Sequence, residues 1–169
     1  MNLHAIIQYL KYRWRAKGRH GVHSPFAYDL IEHVLLDKGV IEREYIVEYP
    51  SLALCYENLL SRIATCYKYK AILYLPLENE DVVKTNADLL LLNEVAPKQW
   101  LNLLNKYFHL LNSQGAVAVI GIHKTMKHTT AWKNLCTDQN VKMSIDMYGV
   151  GLLLFRDEFK EKQHFVLKY

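Results

Sequence analysis

The chain has 169 residues, 51% of them apolar and 22% charged, a size and balance that suit one ordered domain (1–169) whose core needs neither disulfides nor metal. The net charge of +4 sits at one end: Lys11, Arg13, Arg15, Lys17 and Arg19 all precede the first acidic residue, Asp29, which leaves −1 for the remainder. No apolar run approaches the roughly 18 residues of a membrane span, and the first charges follow a short apolar stretch instead of preceding it, so the expected location is cytoplasmic with no signal peptide.

Residues 2 to 17 read as an amphipathic helix with Leu3, Ile6, Ile7, Leu10 and Trp14 on one face. A docked helix would turn that face inward and leave the bases solvated. The other reading makes Lys11, Arg13, Arg15, Lys17 and Arg19 an anion-binding arm for nucleic acid, phospholipid or an acidic protein, with Tyr12 and Trp14 available for stacking, although Trp14 fits the buried face better.

The turn Gly18-Arg19-His20-Gly21-Val22-His23 leads to Ser24-Pro25-Phe26, a helix start in which Ser24 caps and Pro25 gives up an N–H that had no partner. The helix is expected from Pro25 to about Asp37, with Ala27, Leu30, Ile31, Val34 and Leu35 buried and Gly39 after its end. His20 and His23, three apart, offer two imidazoles to a metal or phosphate, or a structural role in the turn. Residues 40 to 49 read as irregular with one helical turn. Pro50 and Ser51 open a helix to about Tyr69 whose inner stripe is Leu52, Cys55, Leu59, Ile63 and Cys66. Cys55 and Cys66 are then roughly 16 Å apart at the helical rise, too far for a disulfide, and with Cys136 they make an odd, reduced set. The part up to residue 69 is thus helical, and the sheet occupies 70–169.

Ala71 to Leu75 reads as a strand and Leu77 to Asn86 as little more than a helical turn. From Ala87 to His123 the pattern is strand, helix, strand: Leu89-Leu90-Leu91-Leu92, then Trp100, Leu103, Leu104, Tyr107, Phe108 and Leu111 on one helical face, Gly115 as a C-terminal stop, and Val117-Ala118-Val119-Ile120. A parallel crossover is the default for such a unit. A helix from about Lys127 to Gln139, a strand from Val141 to Met147, a turn at Gly149 and Gly151, a strand from Leu152 to Phe155 and a last strand from His164 to Lys168 complete an α/β fold with a mostly parallel sheet that ends in antiparallel strands, preceded by extra N-terminal helices.

The segment HGVHSPFAYDL, the Ile122-His123-Lys124 turn, and the C-terminal VKMSIDMYGVGLLLFR with QHFVLKY resemble a family of class I S-adenosylmethionine-dependent methyltransferase-like proteins from Bacteroidetes. The resemblance implies a reduced Rossmann-like fold. In that family the first strand is followed by a glycine-rich loop against the cofactor, and acidic residues follow later strands. Here Ile72 to Leu75 is followed by Pro76-Leu77-Glu78-Asn79-Glu80-Asp81, Asn93-Glu94 stands where Asp-Gly is usual, and Ile120-Gly121 stands where two aspartates precede the Ile-His. Glycine is what lets a backbone approach a cofactor closely, and Glu78, Glu80 and Asp81 put carboxylates there instead, a solvated loop or an acidic site. The expectation is a methyltransferase-like pseudoenzyme that binds no cofactor and serves as a structural or interaction protein. Its alternative is an active enzyme that binds S-adenosylmethionine with another geometry, in which Tyr74, Asn93 and His123 line the remnant pocket and His123 is the candidate base. With no second and third family strands, Ile72 to Leu75 becomes a sheet edge, expected to be capped by the N-terminal helices or used for self-association.

Overall fold

The computed structural model describes residues 3–37, 40–49, 51–77 and 86–169. Among these, the apolar runs assemble into a six-stranded sheet. Its strands are β1 (Ile72–Leu75), β2 (Ala87–Leu92), β3 (Leu111–Ile120), β4 (Met143–Asp146), β5 (Val150–Leu154) and β6 (Gln163–Val166), in the spatial order β1-β2-β3-β5-β4-β6. β1, β2 and β3 pair in parallel, β5 runs antiparallel to both β3 and β4, and β6 is parallel to β4. Five strands therefore share one direction and β5 alone is reversed. The expected parallel middle is present, but the last strand does not prolong an antiparallel end. β5 has already carried the chain back to the end of the sheet where β4 starts, so β6 begins there and runs alongside β4.

Side chains alternate across a strand, so a run that is apolar throughout needs cover on both faces. Leu89, Leu91, Ala116, Ala118, Ile145 and Leu152 join one core with α2 (Pro25–Leu30) and α3 (Leu54–Tyr67), while Leu90, Leu92, Val117, Val119 and Leu153 join a second with α4 (Trp100–Tyr107) and α5 (Met126–Thr137). The result is three layers, helix, sheet and helix. α2 begins as expected, the Ser24 hydroxyl accepting from the Ala27 N–H at 3.5 Å, and it continues as a π-helix over Ile31–Leu36. The 3₁₀ turn Arg43–Tyr45 supplies the helical turn foreseen between residues 40 and 49. On α3 the inner stripe is Leu59, Leu60, Ile63 and Ala64, whereas Cys55 is exposed. Gly39, Pro50 and the carboxylates Glu78, Glu80 and Asp81 lie outside the described residues.

The helix of the central crossover is shorter than its apolar spacing implies. It ends in a 3₁₀ turn, Phe108–Leu110, and Leu111 and Gly115 belong to β3. Gly115 is not a helix stop. Between Ala87↔Leu111 and Leu89↔Ala116 the β2–β3 register shifts, and a Cβ on Gly115 would stand 2.9 Å from the Asp88 carbonyl oxygen. The glycine lets two backbones meet at a bulge.

The largest departure is α1 (Leu3–Arg15). Leu3, Leu10 and Trp14 are 72%, 63% and 88% exposed, and Ile6 and Ile7 are exposed as well. The helix docks by its opposite side, through buried Ala5 and Tyr12. The Tyr12 hydroxyl donates to the Leu167 carbonyl at 2.7 Å and accepts from the Tyr169 N–H at 2.8 Å, and Lys17 forms an isolated parallel bridge with Leu167. These backbone ties to the end of β6 set the rotation of the helix and turn its apolar stripe outward. They also place α1 beside β6, at the edge of the sheet opposite β1, so it does not cap residues 72–75. At β1 the Tyr74 ring stacks on Tyr49, with centroids 4.7 Å apart, and its hydroxyl donates to the Glu48 carbonyl at 3.2 Å.

Gly151, in the reversed strand, faces Trp132: a Cβ there would lie 2.6 Å from two ring carbons of that buried indole. A stiff ring in a packed layer cannot yield easily, so Gly151→Ala is expected to cost about 2 kcal/mol and to lower the melting temperature by roughly 4–8 °C. An unchanged thermal midpoint would show that the α5 layer is looser than the packing implies.

Candidate functional site

In an open α/β sheet, ligands bind beyond the carboxyl ends of the strands. A cavity of about 710 Å³ lies there, lined by Ser51, Leu52 and Tyr56, by Asn93 and Glu94 after β2, by Ile120, Gly121 and His123 at the end of β3, and by His128, Tyr148 and Gly149. Two of the three candidate pocket residues, Asn93 and His123, therefore share one space. Tyr74 does not line it; its ring stacks on Tyr49. Asn93 donates to the Ser51 hydroxyl at 3.1 Å, and desolvation, with Lys124 nearby, holds the His128 imidazole below its ordinary pKa.

His123 is the centre of a buried polar network. Its Nε2 lies 2.7 Å from Asp146 Oδ2, and a carboxylate only accepts, so Nε2 carries the proton. Its Nδ1 lies 3.1 Å from the Thr129 hydroxyl, which His4 Nε2 also meets at 3.1 Å. Asp146 Oδ1 accepts from the Tyr148 N–H at 2.8 Å, and the Tyr148 hydroxyl donates to the Ala5 carbonyl at 2.8 Å. Tyr148 adopts φ +64°, a left-handed conformation costly for a bulky residue. The Asp146 bond holds it there, and the ring sits against Tyr9, Tyr12 and His123. With both ring nitrogens hydrogen-bonded, His123 is held in place by Asp146 and Thr129.

On the other side of His123 lies a second cavity of about 590 Å³. Its floor is the outward face of β4 and β6, where Ser144, Asp146, His164 and Val166 alternate with core residues. α5 contributes Thr129, Trp132, Lys133 and Cys136, and α1 contributes Gln8, Lys11, Tyr12 and Arg15. Ser144 Oγ and His164 Nδ1 are 2.8 Å apart. Desolvation lowers the His164 pKa and His123 adds to the effect against the pull of Asp146, while burial pushes the Cys136 thiol up to about 11.

The five basic candidates of the N-terminal arm thus separate. Lys11 and Arg15 line the second cavity. Arg13 lies on the other flank of the helix, and the backbone of Lys17 is tied to β6. Arg19 forms an ion pair with Glu32, its Nη2 donating to Oε2 at 2.7 Å. His20 and His23 are both exposed, and among the described residues no group of three His, Cys, Asp or Glu side chains is placed to hold a metal. In the HSPF segment Ser24 caps α2, and Phe26 stacks on Tyr67 at 4.7 Å beneath the Arg156 guanidinium.

Asp146, Thr129, Ser144, Lys133, Lys162 and His164 were not singled out by the sequence. Asp146 left little signal, since in Val141 to Met147 it falls with Lys142 and Ser144 on the polar side of the alternation. No protein-family model matches the chain, and no curated protein or solved structure does either.

Removing the Asp146 carboxylate leaves the His123 and Tyr148 N–H groups unpaired in a buried site. Asp146→Ala is expected to cost about 3 kcal/mol and to lower the melting temperature by roughly 6–12 °C, with Asp146→Asn, which keeps an acceptor, losing less. If the alanine variant melts with the parent protein, the network carries no stability.

Proposed function

We propose that the chain is a methyltransferase-like protein of reduced Rossmann-like fold that works by interaction instead of methyl transfer, and that its partner is an anionic lipid surface met by α1. The observation that carries the reading is the outward apolar stripe of that helix, with Leu3, Leu10 and Trp14 the most exposed of its large side chains. An in-plane interfacial helix needs an apolar face, basic flanks and an aromatic residue at headgroup depth. Residues 3–19 supply all three without an acidic residue among them. Nucleic acid would neutralise the bases but leave the leucines in water. A second copy would bring two basic arms together, which like charges oppose. Anionic lipid satisfies both faces, at about 1 kcal/mol for each basic residue near the surface. A cytoplasmic protein would find such lipid on the inner leaflet.

A second reading, an active S-adenosylmethionine-dependent methyltransferase, is favoured by one observation: the larger cavity occupies the carboxyl ends of β2 and β3, beside Asn93 and Gly121.

Trp14 makes the first reading testable by fluorescence, since Trp100 and Trp132 are both 2% exposed and will report little. Vesicles of phosphatidylcholine with phosphatidylserine are expected to sediment the protein and blue-shift its emission, while pure phosphatidylcholine does neither. Trp14→Gln or Leu10→Gln is expected to weaken binding roughly tenfold. A blue shift that grows with protein concentration and without lipid would assign the stripe to a second copy and overturn the proposal. For the second reading, calorimetric titration with S-adenosylmethionine and S-adenosylhomocysteine is expected to give no heat at millimolar ligand, and micromolar binding of either would restore the enzyme.

A further inference from the structure

We propose that the cavity between α1, α5 and β6 is a binding site for a small organic phosphomonoester. Three separate segments bring cations to it: Lys11 and Arg15 from α1, Lys133 from α5 and Lys162 from the approach to β6. Among the described residues the one acid lining the same space is Asp146, and its two oxygens are committed to His123 and to the Tyr148 N–H. Among the described residues, Lys11, Arg15 and Lys133 have no acidic partner. Lys162 is steadied by donating to the Asp138 carbonyl at 2.6 Å, which leaves its ammonium with hydrogens to spare. Four like charges converging on one cavity repel one another, and a bound dianion converts that repulsion into attraction. Balancing four cations takes a ligand with more than one negative charge.

The floor adds direction. The Ser144 hydroxyl lies in the same space as a polar contact for phosphate oxygens, with the His164 imidazole beside it, while the Thr129 hydroxyl there is already engaged by His123 and His4. The volume, about 590 Å³, is that of a small-molecule site and exceeds what a bare phosphate fills. Trp132, Val166 and Cys136 provide apolar wall for a carbon skeleton. The ligand class is therefore a compact molecule with a terminal phosphate, drawn either from solution or from a lipid headgroup. The site shares Lys11 and Arg15 with the lipid-surface reading, whose apolar residues Leu3, Leu10 and Trp14 do not line this cavity.

The test is calorimetry and thermal shift on the full chain with glycerol 1-phosphate and inorganic phosphate at constant ionic strength, with glycerol as the uncharged control. Both phosphates are expected to bind and to raise the melting temperature, glycerol 1-phosphate the more tightly, and glycerol is expected to do neither. Lys133→Gln and Lys162→Gln, both at exposed positions that keep the fold, should each weaken glycerol 1-phosphate at least fivefold, while Lys98→Gln, exposed and outside the cavity, should leave it unchanged. Competition by vesicles containing phosphatidic acid would identify a lipid headgroup as the source, and its absence would identify a soluble ligand. No binding at millimolar glycerol 1-phosphate, or equal weakening by Lys98→Gln, would overturn the proposal.

Discussion

The hydrogen bond between Asp146 and His123 ties together parts of the chain that the sheet alone leaves independent. Asp146 ends β4 and His123 follows β3, so the pair crosses the carboxyl end of the sheet at the reversed strand. Thr129 extends it to α5 and His4 to α1. Tyr148 brings in the β4–β5 turn and returns to the backbone of α1 at Ala5. Because these groups are buried, each must find a partner within the protein, and each partner comes from a different element. A histidine at the end of a strand looks like a base in sequence. In this fold it is also a junction.

That junction is also a wall. His123 lines both the cavity at the ends of β2 and β3 and the cavity under α1. The first is where an α/β protein with a cofactor would bind it, and the second exists because α1 is tied by hydrogen bonds to the end of β6. A single helix thus shapes two surfaces. Gln8, Lys11, Tyr12 and Arg15 follow helical spacing along the cavity, and Leu3, Ile7, Leu10 and Trp14 follow it along the solvent side. The basic residues at the boundary between these stripes relate a phosphate ligand inside to an anionic surface outside.

Much of the fold was legible because burial on both faces writes a continuous apolar run, and Leu89 to Leu92 and Val117 to Ile120 are such runs. Ser24 and Pro25 announced a helix start for equally local reasons. The misread features all concern rotation or register. Gly115 follows a helical spacing, but a bulge against Asp88 decided its role. Cys55 falls on the apolar period of α3, yet the core took Leu60 and Ala64 instead. Of the candidate pocket residues, Asn93 and His123 follow strands and line one cavity, whereas Tyr74, inside β1, stacks on Tyr49 outside it.

The sequence by itself determined the layers: two core faces, the parallel centre, the reversed hairpin turning at Gly149, and a basic arm free of acids. These follow from periodicity and local chemistry, which a linear chain carries in full. Only the tertiary structure decided which way α1 faces and which charges meet. An amphipathic pattern specifies that a helix has two sides but not which side is buried, and here hydrogen bonds from Tyr12 and Lys17 to the last strand overrode the apolar stripe. The gathering of Lys11, Arg15, Lys133 and Lys162 around Ser144 likewise depends on contacts between residues more than a hundred positions apart, which no local pattern records.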